Sequence, residues 1–114
     1  MIAVVFEVWP ADGQRQTYLD IAASLRPELD RIDGFLSIER FQSLADETKL
    51  LSLSFWRDEV AVTAWRNIAR HRAAQKKGRE GVFRDCHLRI AHVLRDYGMT
   101  ERAEAPADSR QSNG

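Results

Sequence analysis

The chain has 114 residues, 44% of them hydrophobic and 30% charged, which is apolar mass enough for one folded domain. Seventeen Lys and Arg balance seventeen Asp and Glu, so no net charge favours nucleic acid, and no apolar run reaches the roughly 20 residues of a membrane span. Cys86 is the single cysteine, which excludes an intrachain disulfide, and no Cys/His set has zinc spacing. The N-terminus carries neither the basic start nor the cleavage site of a signal peptide, so a cytoplasmic protein is expected.

Residues 2–9 are β-branched and aromatic with one charge, Glu7, and predict a strand buried on most of both faces. Residues 10–13 form a turn cluster. Tyr18, Ile21, Ala22, Leu25, Leu29 and Ile32 then recur at helical spacing. Pro27 interrupts that stripe and predicts a kink or short break near Leu25 and Arg26. Gly34 is the expected left-handed cap.

Residues 35–42 and 49–56 alternate as two strands of a hairpin around a loop at 43–48. Asp58 is placed to cap a helix whose stripe is Ala61, Ala64, Trp65 and Ile68, and whose helical character runs on to Lys77, with Gly78 as its stop. Residues 83–95 predict the last strand. From Thr100 the chain has no aromatic or branched aliphatic residue, which predicts a folded domain over 1–98 and a disordered polar tail over 99–114.

The order β-α-β-β-α-β is the split βαβ arrangement: an α+β, ferredoxin-like antiparallel sheet with both helices on one face. Large hydrophobes on both sides of the strands leave the other face too apolar to stay wet, and dimerisation through the sheet would cover it.

Several side chains carry candidate chemistry. His71 follows Trp65 by six residues, about 120° round an ideal helix, so a break between them would be needed to bring both to one cavity. There an imidazole would accept a phenolic proton near neutral pH; in solvent His71 would be a surface residue beside Arg70 and Arg72. Trp65 serves equally as pocket wall or core stripe. Asn67 lies about 200° from Trp65, which favours exposure. Glu7 and Arg40 sit in largely apolar strands and need partners: an ion pair for either, a base role for Glu7 if its pKa is raised. His87, His92 and Glu39 have no metal spacing, and Cys86 reads as a small buried hydrophobe. Arg70, Arg72, Lys76, Lys77 and Arg79 form a solvated face or a guide for an anionic substrate.

The runs Gly34-Phe35-Leu36, Leu53-Ser54-Phe55-Trp56, Ala64-Trp65-Arg66-Asn67, His71-Arg72-Ala73-Ala74-Gln75, Gly78-Arg79 and Arg89-Ile90-Ala91-His92-Val93 with Tyr97 cover most of residues 2–97. Together they resemble the antibiotic biosynthesis monooxygenase (ABM) domain family of the dimeric α+β barrel superfamily. The resemblance implies a homodimer with a pocket between helices and sheet in each subunit. It further implies a monooxygenase that needs no metal or flavin and acts on a small aromatic phenol or hydroquinone. Trp65 and His71 would be its catalytic pair, with Phe6, Arg40, Trp56, Asn67 and Gln75 around the substrate. Two other activities occur under the same resemblance: a non-catalytic, ligand-binding or stress-related dimer, and haem degradation. The haem-degrading members use a strand-one asparagine and a histidine ten residues after the tryptophan, where this chain has Phe6 or Glu7 and Gln75. Glutamine is a poor iron ligand.

Overall fold

The computed structural model describes the backbone of residues 1–114 and all side chains except those of Ala69 and Arg70, so the expectation for the Arg70 side chain lies outside the described residues. Four strands, β1 (Ile2–Pro10), β2 (Phe35–Gln42), β3 (Leu50–Trp56) and β4 (Phe83–His92), form one sheet in the order β2-β3-β1-β4. All three ladders are antiparallel. Helix α1 (Arg15–Asp30) links β1 to β2, while α2 (Glu59–Arg66), α3 (Ala69–Lys77) and a π-helical turn at Gly78–Val82 link β3 to β4. This is the ferredoxin-like α+β fold.

The ladder register assigns the faces, because directly paired residues point the same way. Ile2, Val4, Phe6 and Val8 pair with Trp56, Ser54, Ser52 and Leu50 beneath the helices. Ala3, Val5 and Glu7 pair with Phe55, Leu53 and Leu51 on the opposite, outer face. The helix side holds two packed clusters. One centres on Ile2, Leu29, Trp56, Ala61 and Val62, with Trp65 against it; the other on Val8, Tyr18, Leu50 and Val82, with Phe6 and Phe83 against it. Val8 is 0% and Trp56 1% exposed. The Trp56 indole N–H donates to Ser54 Oγ at 2.9 Å, so its burial leaves no polar atom unpaired.

Local chemistry sets the element ends. Asp58 caps α2, accepting the Ala61 N–H at 3.0 Å. Gly34 adopts φ +94°, and a Cβ there would lie 2.9 Å from the Ala61 Cβ, so the turn after α1 needs glycine both for conformation and for space.

Three expectations are corrected. Helix α1 runs through Pro27 as one element, because Leu29, 3% exposed, anchors the turn beyond the proline in the core. The α-helix ends where expected, at Lys77 with Gly78 as its C-cap, and the chain winds on into the π-helical turn: Gly78 keeps φ −57° and ψ −48°, and its missing side chain admits the Phe83 ring, which a Cβ would meet at 2.5 Å. Cys86 is exposed. It lies on the helix-facing side of the edge strand β4, where Leu88 is also 53% exposed, so the helices do not reach over this strand. The tail carries a short helix α4 (Ala107–Asn113) where its composition predicts disorder. Arg102 organises this segment, donating to Gly98 O at 3.1 Å, Gly114 O at 2.8 Å and Ser109 Oγ at 2.7 Å.

Candidate functional site

Between the helices and the inner sheet face, where the two clusters meet, lies a cavity of about 210 Å³. Of the candidate residues, Trp65, His71, Phe6, Arg40, Trp56 and Gln75 line it. Asn67 does not. It is exposed at the end of α2, where its Nδ2 donates to Thr63 O at 2.9 Å and its Oδ1 accepts from Arg72 Nη2 at 2.6 Å. Asn67 thus braces the junction between α2 and α3 instead of meeting a substrate.

That junction makes the site. A continuous helix would set His71 apart from Trp65. Here Ile68 is extended, with φ −67° and ψ 135°, and α3 starts afresh at Ala69. The new helix direction brings the His71 ring edge-on to Trp65, with centroids 4.6 Å apart and planes at 61°.

Nδ1 of His71 is buried with no hydrogen-bond partner among the described residues. Burial, with Arg72 adding a smaller repulsion, lowers its pKa from 6.5 to about 4. His71 is therefore neutral at pH 7 and presents an unused ring nitrogen. An unmade hydrogen bond of this kind costs roughly 1–3 kcal/mol, which a ligand O–H or N–H would recover. The ring is in the cavity and in its proton-accepting neutral form, and desolvation makes it a weaker base than a free imidazole.

At the other end of the cavity Phe6 and Arg40 are joined by Tyr18 and Phe83, which sequence reasoning left out of the site. Tyr18 from α1 meets Phe83 edge-on at 5.6 Å, and Phe83 meets Phe6 at 5.9 Å. Tyr18 was visible only as a member of the α1 stripe, and nothing in the sequence brings Phe83 to it. Arg40 reaches this aromatic group from β2, its Nε donating to the Tyr18 hydroxyl at 3.3 Å. Its guanidinium carbon lies 5.9 Å from the Tyr18 ring centre.

Glu7 lies outside the cavity. It is on the outer face, paired with both Lys49 and Arg89, and those two cations hold its carboxyl below the usual range. The base role for Glu7 is thereby set aside in favour of the ion pair. His87 and His92 fall on opposite faces of β4, opposite Glu7 and Ile2 respectively.

Residues 1–77 match the family model described as antibiotic biosynthesis monooxygenase, and the chain belongs to that family. Among characterised proteins it is 54% identical over 93 residues to the jasmonate monooxygenase ABM of Pyricularia oryzae, a match covering 82% of this chain and 43% of that protein. The chain thus spans less than half the length of that relative. Among solved structures, Rv0793 from Mycobacterium tuberculosis superposes with a TM-score of 0.75 at 15% identity, covering 85% of this chain and 98% of that one. A candidate antibiotic biosynthesis monooxygenase from Deinococcus radiodurans gives 0.76 at 10% identity, covering 86% and 97%. At such identities these structures show the shared fold.

Proposed function

We propose that this chain is a monooxygenase domain that takes a small, largely apolar, ring-bearing substrate into the cavity between helices and sheet. The observation that carries the reading is the buried, unpartnered Nδ1 of His71 held against Trp65 in an otherwise apolar enclosure. The substrate ring packs on Trp65, and a phenolic or enolic O–H donates to Nδ1. As that proton moves toward His71, electron density rises on the ring carbon that dioxygen attacks. The dry cavity keeps water from levelling that density. A phenol oxidised to a quinone balances with dioxygen alone: one oxygen atom enters the ring and the other leaves as water with the hydrogens of the substrate C–H and O–H. Hydroxylation of a saturated carbon needs two further electrons from an external reductant.

Two substrate classes follow. The fold family suggests phenols and hydroquinones. The 54% identical relative, named for jasmonate, adds jasmonate itself. Haem degradation is less well supported, because Gln75 occupies the ligand position and the cavity, at about 210 Å³, is below the roughly 300–1,000 Å³ of ordinary ligand pockets. The same reading assigns the outer sheet face to a second copy of the chain, since Val5, Leu51, Leu53 and Phe55 lie there with no helix over them.

The test is oxygen uptake, with mass spectrometry for one added oxygen atom, on a panel of hydroquinones, phenols and jasmonate with and without a reduced nicotinamide. His71→Ala should slow turnover by about 10²-fold, the lower end for a positioned base, because its basicity is depressed. Trp65→Phe should weaken substrate binding with the fold intact. Turnover of no substrate, or equal rates for wild type and His71→Ala, would overturn the reading.

A further inference from the structure

The cavity has one charged group on its inner sheet face, and that group is not neutralised. Arg40 is half-buried, and its only described interactions are with the hydroxyl and ring of Tyr18. Among the described residues no carboxylate pairs with it. A guanidinium removed from water without an anion is costly, and folds ordinarily supply the counter-charge, as this one does for Glu7 on the other face.

We infer that Arg40 anchors a carboxylate, so that the substrates of this cavity are amphipathic monocarboxylates whose acid group lies at Arg40 and whose apolar body extends toward Trp65 and His71. The inference rests on the reading of this cavity as the substrate site. Two neutral donors stand ready beside the cation. The Tyr18 hydroxyl accepts from Arg40 Nε, which leaves its own O–H to donate. Ser52 is directly opposite Arg40 in the β2–β3 ladder and also lines the cavity. A planar guanidinium with adjacent hydroxyls suits the two oxygens of a carboxylate.

The register also fixes the span. Arg40, Ser52 and Phe6 form one row across the sheet, and Phe35, Trp56 and Ile2 another, four residues further along β1 and β3 and five along β2, where the register shifts between Phe35 and Ser37. Four residues of strand rise about 13 Å. Trp65 packs on the cluster that contains Trp56 and Ile2. A carboxylate with an apolar body of roughly eight to ten carbons therefore reaches from one end toward the other. Arg66 also lines the cavity, exposed and turned to Thr63 Oγ1 at 3.5 Å, so it is the rival cation that the test must separate from Arg40.

The experiment measures binding of octanoate and of methyl octanoate to the full chain by calorimetry and tryptophan fluorescence. Wild type should bind octanoate at least about tenfold more tightly than the ester, the scale of a charge-assisted hydrogen bond. Arg40→Gln should abolish that preference, Arg40→Lys should keep part of it, and Arg31→Gln, at an exposed arginine outside the cavity lining, should keep all of it. Circular dichroism melts confirm that each variant is folded. Equal affinity for acid and ester, or loss of the preference in Arg66→Gln and not in Arg40→Gln, would overturn the carboxylate anchor while leaving the cavity as the substrate site. Binding of neither probe would overturn both readings.

Discussion

Each face of the sheet sets a charged strand residue among apolar neighbours, Glu7 outside and Arg40 inside, and the fold treats the two differently. On the outer face Glu7 is clamped by Lys49 and Arg89, among Val5, Leu51 and Phe41. On the inner face Arg40 has a tyrosine hydroxyl and, among the described residues, no carboxylate. The first arrangement is complete in the chain itself; the second becomes complete with an anion. Completeness of pairing, more than the presence of a charge, separates a structural ion pair from a binding group.

The faces should also differ in how they fail. Trp56→Ala on the inner face should cost about 3–5 kcal/mol of stability, because it empties the space of a nearly fully buried aromatic. Denaturant melts would register the loss at any protein concentration. Leu53→Asp on the outer face should act through association. Light scattering should report a dimer for the wild type and a single chain for the variant, with melting that no longer depends on concentration. A wild-type mass near 13.1 kDa would show that the outer face has no second copy on it.

The charges themselves give a smaller contrast of opposite sign. Glu7→Gln leaves Lys49 and Arg89 facing one another without their shared anion and should lower the melting temperature modestly. Arg40→Gln removes a charge that lacks a counter-ion and should leave the melting temperature unchanged or raise it, while ligand binding suffers. This exchange of stability for function is the expected signature of a binding residue. A larger loss from Arg40→Gln than from Glu7→Gln would reverse the assignment.

His71 adds a pH dependence confined to the inner face. Its folded pKa of about 4 lies below the ordinary 6.5, so the unfolded chain binds more protons between those values. Its contribution to stability is whole above pH 6.5 and is lost as pH falls toward about 4. The same neutrality predicts turnover that does not fall off around pH 6.5 on account of this group. Between about pH 6.5 and 5, above the titration of the paired carboxylates, His71→Gln should flatten the dependence of the melting temperature on pH. An unchanged slope would mean that His71 is not desolvated.

The element order, the Asp58 cap and the Gly34 turn were legible in the sequence because each rests on local pattern: alternation, helical spacing, capping chemistry; the six cavity residues named there, Trp65, His71, Phe6, Arg40, Trp56 and Gln75, followed from the family resemblance. What was hidden depends on groups brought together from afar. A break between Trp65 and His71 would bring both to one cavity, but the sequence contains no proline or glycine there to announce one; Asn67, which the resemblance set beside the substrate and helical spacing set outside, is exposed and braces that break. Phe83 reaches Tyr18 only because Gly78 has no side chain. Cys86 is exposed because β4 is an edge strand, which alternation along one strand does not reveal. The partners of Glu7, Lys49 and Arg89, come from two different neighbouring segments, whereas among the described residues Arg40 meets Tyr18.

The C-terminal segment provides the weakest perturbation and the sharpest check on where the domain ends. Its composition predicts no independent packing, yet it contains α4, and Ala105 is buried. The hydrogen bonds of this region run within residues 96–114: Asp96 N–H to Glu104, Gly98 N–H to Glu101 O, and Arg102 to Gly98, Ser109 and Gly114. The Arg102 guanidinium lies over Tyr97 at 5.3 Å. The segment thus folds on itself, and α4, only seven residues long, is too short to be stable alone. Ending the chain after Gly98 removes these bonds together and leaves neither sheet face newly uncovered. The melting temperature should move by no more than about 3 °C, the scale of a surface change in a domain this size. Cavity binding should be unaffected, since its lining ends at Ile90. A large drop for the truncated chain, especially one accompanied by loss of the dimer, would instead place α4 on the second copy and extend the interface beyond the outer face.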